Sequence, residues 1–438
     1  MRRKTAAWCG FLIGLGSKTQ IFLFGCIGIS ELVLFLIAPF VLLRKLNELK
    51  RDGFLPVLSL FILAMVGCLI SSRYNHAQFV ATYKTFAQVY ATFAAVIVFH
   101  SLLKSNVQSV GLYVLGYAIS SIITIWAFHP RADIEIGYLG MQTSEDMMGS
   151  VMFWIKKVRE LAVVPVCLWY FKTPLAYSVS MPIAYSIYAM LASSSGRSMA
   201  LSTMGASALT FLGRKSRTRM RKISKNLWVI LLVLFGMLFV FRASYKAAAL
   251  GGILGEEARN KYVAQTSQGD GFLKILMSGR KEFFISLGAC LDHPIIGLGP
   301  NPVDKDGYVY NYLQKYGTRS EFFYYKNEIH PFFRLPIPCH SYITSFWLWF
   351  GVFGLTFWIY VAWMAFRYFR YNVSAVPQLF GFFSLFIPTL LWDMFFSPYG
   401  WRLNNGLIIA ALVFVDSVSR GRILLPFETE TEAQAYDR

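Results

Sequence analysis

The chain has 438 residues, of which 56% are hydrophobic and only 15% are charged, and its mean hydropathy is +0.48. This composition excludes an ordinary soluble globular protein and indicates a polytopic membrane protein. The formal net charge of +19 does not require a nucleic-acid partner, because no basic and aromatic binding module is visible and anionic lipid headgroups attract the same side chains.

Apolar segments recur along the whole chain at a length that suits a bilayer, which takes about 20 residues per helix. The strong candidates are 21–43, 54–70, 107–128, 226–241, 341–366 and 377–396. Weaker candidates are 79–102, 155–171, 175–192, 199–212 and 403–418. Because backbone amides in lipid must be satisfied within their own segment, each is expected to be helical. The predicted fold class is therefore all-α.

The short apolar segment 6–16 decides the predicted topology. If it crosses the membrane, the chain has about 12 transmembrane helices, both termini are cytoplasmic, and most basic residues of the short loops lie inside, as the positive-inside rule expects. Without that crossing, the basic clusters at 2–4 and 44–51 would face opposite sides. We therefore predict a multi-pass protein of the cytoplasmic (inner) membrane with one large periplasmic loop.

This topology divides the chain into five parts. They are N-terminal transmembrane helices over 1–190, further transmembrane helices over 191–242, the periplasmic loop over 243–340, C-terminal transmembrane helices over 341–420 and a cytoplasmic tail over 421–438. Of the six scattered cysteines, Cys290 and Cys339 lie in the loop, where a disulfide is chemically permitted. A bridge and a pair of ordinary buried thiols both remain open.

An amphipathic helix and a turn are predicted within the loop. Apolar residues at helical spacing share one face: Phe283, Phe284, Leu287 and Leu291. This face would lie along the membrane or pack on the helical bundle. Arg280 stands at the start of the helix and Pro294 ends it, and Gly297 and Gly299 then form a turn that bulkier residues could not easily adopt.

Three residues at the predicted outer face have side chains suited to chemistry. Arg197 and Arg280 could each bind a pair of phosphate oxygens, and His340 could take a proton near neutral pH. Each also has an ordinary explanation. Arg197 could be an interface arginine, Arg280 a solvated loop charge, and His340 a capping or interface histidine.

Three segments, in this order and on one predicted side of the membrane, resemble the family of O-antigen ligases and O-antigen or exopolysaccharide polymerases. They are 195–201, then 279–280 with 293–301, and then 340–342 leading to 349–355. The chain departs from the family pattern at Ser341, where Asn is frequent, and at Gly196-Arg197-Ser198, where Ser-Arg-Gly is frequent. These departures bear on the subclass more than on the family.

The resemblance implies a GT-C-like enzyme that moves a glycan from undecaprenyl diphosphate to an acceptor hydroxyl in the periplasm. His340 would be the general base, Arg197 and Arg280 would contact the diphosphate, and Gly297 and Gly299 would form the loop turn. The first expectation is an O-antigen ligase that uses lipid A core as its acceptor, inverting and with no metal or other cofactor. The alternative is a polymerase that uses a growing glycan.

A transporter or flippase for lipid-linked sugars is the rival from another class. Glu31 and Lys84 fall within predicted spans, where charges are costly and often functional. They would either pair with each other or line a polar path. The absence of a visible repeat and the scarcity of buried charges disfavour transport. A non-catalytic scaffold of the cell envelope is a third possibility.

Overall fold

The computed structural model describes residues 3–22, 26–128, 280–317, 336–372, 375–400 and 402–424, together with short pieces between 164 and 277. Most of these residues are helical. The N-terminal elements are α1 (Arg3–Leu15), β1 (Gln20–Phe22), β2 (Cys26–Gly28), α2 (Ile29–Arg51), α3 (Leu55–Tyr74), α4 (Phe79–Ser105) and α5 (Ser109–Phe128). The later ones are α6 (Lys281–Asp292), α7 (Tyr308–Tyr316), α8 (Tyr342–Phe350), α9 (Val352–Arg367), a π-helical turn (Tyr368–Asn372), a 3-10 turn (Pro377–Leu379), α10 (Phe380–Phe396) and α11 (Arg402–Ser419). The all-α prediction is confirmed for these residues, apart from the small antiparallel hairpin β1–β2.

Five helices among the described residues are long and apolar enough to cross a membrane. They are Leu55–Tyr74, Phe79–Ser105, Val352–Asn372, Pro377–Phe396 and Arg402–Ser419. The total of 12 stays a prediction, because the candidates between 155 and 241 lie outside the described residues. The predicted span 21–43 is displaced along the chain, since the hairpin occupies its first residues and α2 begins only at Ile29.

Helix α1 runs in the same direction as α5. At one end Asn106 donates to the carbonyl of Arg3 at 3.2 Å, and at the other the Lys18 ammonium lies 4.7 Å from the centre of the Tyr117 ring. The hydroxyl of Ser30, in the first turn of α2, donates to the carbonyl of Ile13 at 2.6 Å. The chain therefore reverses between α1 and α2, which is the direction that a crossing by 6–16 requires.

One end of the bundle, here called the basic end, concentrates positively charged side chains. The ends of α2, α4, α9 and α11 that meet there, and the residues directly after α9 and α11, contain Lys45, Lys50, Arg51, Lys104, Arg367, Arg370, Arg420 and Arg422. They are partly neutralised, since Lys104 binds Asp52 at 2.8 Å and Arg367 binds Asp416 at 3.1 Å. This distribution is typical of a cytoplasmic face. Arg280 and His340 lie toward the opposite end, here called the far end.

The predicted single span 341–366 is wrong, because Gly351 divides it. Its φ of 66° lies in the left-handed region, which ends α8 and lets the chain fold back into α9. The ring centres of Phe346 and Phe357 are then 5.9 Å apart, and those of Tyr342 and Trp358 are 5.1 Å apart. Helices α8 and α9 thus form a hairpin, and His340 lies beside the body of α9 and not at its beginning.

Candidate active site

The last turn of α10 positions Arg280. Its Nη1 donates to the carbonyl of Phe396 at 3.3 Å, and the guanidinium lies 5.2 Å from the Trp392 ring and 5.6 Å from the Phe396 ring. Helix C-terminal carbonyls lack intrahelical partners and carry partial negative charge, so a cation is stabilised there. Arg280 is therefore packed against the bundle, and the interpretation of it as a solvated loop charge is wrong.

The same turn of α10 also positions His340. The next residue, Ser341, donates through Oγ to the carbonyl of Met394 at 2.8 Å and caps α8 by accepting from the Thr344 amide at 3.1 Å. Ser341 and not His340 is thus the capping residue. The His340 side chain is exposed and makes no side-chain hydrogen bond within the described part of the chain. Because Met394 and Phe396 are two residues apart, Arg280 and the residue that follows His340 are bound at one helix end.

A polar cluster that the sequence analysis did not identify lies beside this helix end. Asp393 accepts a hydrogen bond of 2.6 Å from Ser397, and Asn405 donates to the carbonyl of Gly400 at 2.8 Å. The buried hydroxyl of Tyr342 reaches the same carbonyl at 3.5 Å. Asp393 was detectable in principle, because it is the one carboxylate in the apolar segment 377–396, where a charge is costly.

The site is recessed below the tip of α4. Tyr399, between α10 and α11, hydrogen-bonds Thr92 of α4, and its ring centre is 4.8 Å from that of Phe346. Burial raises the pKa of Tyr399, although the hydrogen bond with Thr92 acts in the other direction. Thr92 lies about 20 Å along the helix axis from Phe79, where α4 begins. Tyr399 therefore contacts α4 well below the level at which that helix begins.

The turn after α6 has the conformation that its glycines predict. Gly297 has φ 75° and Gly299 has φ 83°. The amide of Leu298 donates to the carbonyl of Leu348 at 2.6 Å, and the Asn75 side chain donates to the carbonyl of Gly297 at 3.1 Å. A Cβ at Gly297 would overlap backbone atoms of α8. Glycine is thus needed here for both φ and close approach, and the turn fastens the loop to α3 and α8.

The predicted pairing of Glu31 with Lys84 is wrong. Glu31 binds Arg402 at 2.7 Å and accepts a hydrogen bond of 3.1 Å from the amide of Gly28 at the start of α2. Lys84 is exposed. Glu31 is buried but neutralised by a partner on α11, so it ties two helices together and gives no support to a polar transport path.

The carboxylates and thiols of the loop have local structural roles. Asp304 accepts from the amides of Tyr308 and Val309 at 2.8 and 2.9 Å, so it secures the start of α7. Cys290 and Cys339 are free thiols in this structure. Burial raises the pKa of Cys339 to about 12 and raises that of Cys290 as well. Among the described residues, no group of three or more His, Cys, Asp or Glu side chains could hold a metal ion.

Arg197, the second arginine predicted to contact the diphosphate, lies outside the described residues. Its place relative to Arg280 stays a prediction. Comparison with known proteins finds no family model that matches the chain and no curated protein that matches it. The resemblance of the three segments to glycan ligases and polymerases remains a prediction from the sequence.

Proposed function

We propose that this chain is a membrane-embedded glycosyltransferase that moves a glycan from undecaprenyl diphosphate to an acceptor hydroxyl. The proposal is supported chiefly by one observation: the last turn of α10 binds both Arg280 and Ser341, which directly follows His340 in the chain. A cation for the leaving group and a base for the attacking group are the two functions that such a transfer needs at one place. The resemblance of the surrounding segments supports the same reaction.

The reaction follows from the charges that develop in it. The acceptor oxygen attacks the anomeric carbon of the glycan, His340 takes the proton of the acceptor hydroxyl, and the bond from that carbon to the diphosphate oxygen breaks. Negative charge then grows on the phosphate oxygens, where Arg280 would stabilise it by charge-assisted hydrogen bonds of about 1.5–3 kcal/mol each. Arg197 is the proposed second contact. Direct attack inverts the anomeric configuration.

The distribution of basic residues favours a periplasmic site. If the basic end of the bundle faces the cytoplasm, Arg280 and His340 lie toward the outer surface of the inner membrane. Lipid-linked donors and lipid A core share that surface. We therefore propose an O-antigen ligase first, and a polymerase that extends a glycan as the alternative.

Purified protein in phospholipid vesicles tests the reaction directly. A lipid-linked oligosaccharide is added with lipid A core or with a second lipid-linked oligosaccharide, and the products are separated by mass. Transfer to lipid A core supports a ligase, and elongation of the oligosaccharide supports a polymerase. Movement of an unaltered donor across the bilayer, with no new glycosidic bond, would indicate the flippase. No reaction and no movement would favour a scaffold.

The banding of lipopolysaccharide in a deletion strain gives an independent answer. Loss of all glycan-capped chains is expected for a ligase, because no O-antigen then reaches lipid A core. Caps of a single repeat are expected for a polymerase, because joining continues while elongation stops. Unaltered banding would contradict both.

A further inference from the structure

The apolar face of α6 predicted from the sequence is divided in the structure: Phe283 packs on Phe396 of α10, with 5.8 Å between the ring centres, whereas Leu287 and Leu291 lie away from the buried side of the helix. The buried residues are Ile285, Ser286, Ala289 and Cys290. They lie against α8, where the Ser286 and Thr344 hydroxyls are 2.8 Å apart and the Cys290 thiol is 3.5 Å from the carbonyl of Thr344. The bundle therefore packs on a mixed face, and it leaves the part of α6 that contains Leu287 and Leu291 on the outside.

The outward side forms a continuous strip, called here the α6 strip, of Leu287, Leu291 and Ile295. At 100° per residue, Leu287 and Leu291 lie on the side of α6 opposite Ile285 and Ala289. Leu291 is 60% exposed and Ile295, just beyond the helix, is 70% exposed. Large aliphatic side chains grouped in this way favour an apolar surrounding over water.

The attachment of the turn after α6 to the end of α3 sets the level of the α6 strip along the spanning helices. The carbonyl of Ile295 accepts from the Val352 amide at 3.0 Å, and the turn that follows binds Asn75, directly after α3. Leu69 and Ile70, in the last two turns of α3, expose 55% and 47% of their surface. The α6 strip is thus attached beside the end of a helix that is suited to cross the membrane and that also exposes large aliphatic side chains.

Exposed aromatic residues mark the edge of that surface. Tyr74 ends α3 and Phe79 begins α4, and both are largely exposed. Aromatic side chains at helix ends are typical of the boundary between acyl chains and headgroups. The polar side chains Lys305 and Asp306 lie in the turn before α7 and are also exposed. The exposed polar side chains and the exposed apolar side chains therefore lie in different parts of the loop.

We propose that the α6 strip is a lipid-contacting surface that inserts among the acyl chains of the outer leaflet. Helix α6 then runs along α8, with one face on that helix and the other in lipid. Its partner is the bilayer itself. If the proposed function also holds, this insertion brings lipid beside the helix that begins after Arg280.

Fluorescence quenching in vesicles tests the contact without any glycan donor, so its result is independent of transfer activity. Leu291→Cys and Ile295→Cys are labelled with an environment-sensitive maleimide fluorophore, and labelled parent protein corrects for the native thiols. Ile62→Cys, on the exposed side of α3, is the lipid control, and Lys305→Cys is the aqueous control. The vesicles contain phosphatidylcholine and phosphatidylglycerol, with or without a phosphatidylcholine that carries a nitroxide near the top of its acyl chain.

The expected result is that the nitroxide lipid quenches the probes at 291 and 295 severalfold more than the probe at 305, and to a degree similar to that at 62. Dissolved iodide should show the reverse order. Quenching by lipid no stronger than at 305 would overturn the proposal. Protection from both quenchers would also overturn it, because protein, such as a second copy of the chain, would then cover the strip.

Discussion

The guanidinium of Arg280 donates to the backbone carbonyl of Phe396, the last residue of α10, at 3.3 Å. A helix C-terminus attracts a cation whether or not a substrate binds, so this contact stabilises the folded protein even without substrate. The same turn of α10 also binds Ser341, the residue that follows His340 in the chain, through the carbonyl of Met394. Experiments on Arg280 must therefore separate folding from transfer.

Arg280→Lys is expected to reduce transfer by at least tenfold while it leaves the protein folded. Lysine keeps the positive charge at the end of α10, but an ammonium cannot reproduce the forked contact with two phosphate oxygens. The measurement is the rate of transfer from a lipid-linked oligosaccharide by purified protein, together with its thermal unfolding in detergent. An unchanged rate would show that Arg280 does not contact the diphosphate.

Arg367→Lys is the matched control for that substitution. The Arg367 guanidinium lies 5.2 Å from the Trp363 ring, the same separation as between Arg280 and Trp392, but it is at the basic end of the bundle. Loss of stacking should therefore affect both variants alike. Only Arg280→Lys is expected to lose transfer.

His340→Asn is expected to abolish transfer with little change in stability. The imidazole is exposed and makes no side-chain hydrogen bond within the described residues, so its loss leaves no buried group unsatisfied. Asparagine cannot serve as a base, and removal of a general base costs about 10²–10⁴-fold in rate. His76→Asn is the control, because His76 is exposed at the same end of the bundle and asparagine tolerates its positive φ of 51°. Equal rates for both variants would exclude His340 as the base.

The spans were predictable where apolar length alone decides them. Segment 54–70 corresponds to Leu55–Tyr74, and segment 377–396 corresponds to the 3-10 turn and α10. The break at Gly351 was not predictable in this way, because glycine is tolerated inside membrane helices and the flanking residues are all apolar. The hairpin results from packing between Phe346 and Phe357, which is a tertiary contact.

The site was predictable in its residue types and only partly in its arrangement. A histidine before an apolar run and an arginine before an amphipathic helix are visible in the chain, but their common support on α10 is not. Arg402 is the partner of Glu31 because the start of α11 lies beside the start of α2, and no local sequence pattern predicts this ion pair. Likewise the packed face of α6 could not be chosen from periodicity, since both of its faces contain apolar residues.

Asp52→Asn is expected to destabilise the protein by about 3 kcal/mol at neutral pH, because it breaks a buried charged pair. The Asp52 side chain is only 1% exposed, and its carboxylate lies 2.8 Å from the Lys104 ammonium and 3.5 Å from Nε2 of His100. Burial alone would raise its pKa, but the nearby His100 and the hydrogen bond and charge of Lys104 outweigh burial and lower it.

The direction of that pKa shift predicts an acid-dependent loss of stability. Because the folded pKa is below the ordinary value of 3.8, the contribution is complete above that pH and is lost as the pH falls through the folded pKa. Unfolding in detergent, followed from neutral pH to below 3.8, measures it. Asp416→Asn is the control, since Asp416 is 23% exposed and should cost less. Equal losses for the two variants at neutral pH would contradict the buried pair.

Gly351→Ala is expected to destabilise the protein by at least about 3 kcal/mol and to reduce transfer, because it adds both strain and overlap. At φ 66° and ψ −152° the backbone is in a region that is almost exclusive to glycine, and a Cβ would overlap the carbonyl of Ile295. Relief of that overlap must displace the turn after α6 or the hairpin of α8 and α9, and either displacement moves a predicted site residue.

Gly421→Ala separates the two effects, since Gly421 has φ 69° but nothing within 4 Å of the added atom. Its cost should be about 1 kcal/mol, from strain alone. Denaturant unfolding in detergent compares the two variants, and equal costs would show that the contact between Gly351 and Ile295 does not hold the loop to the bundle.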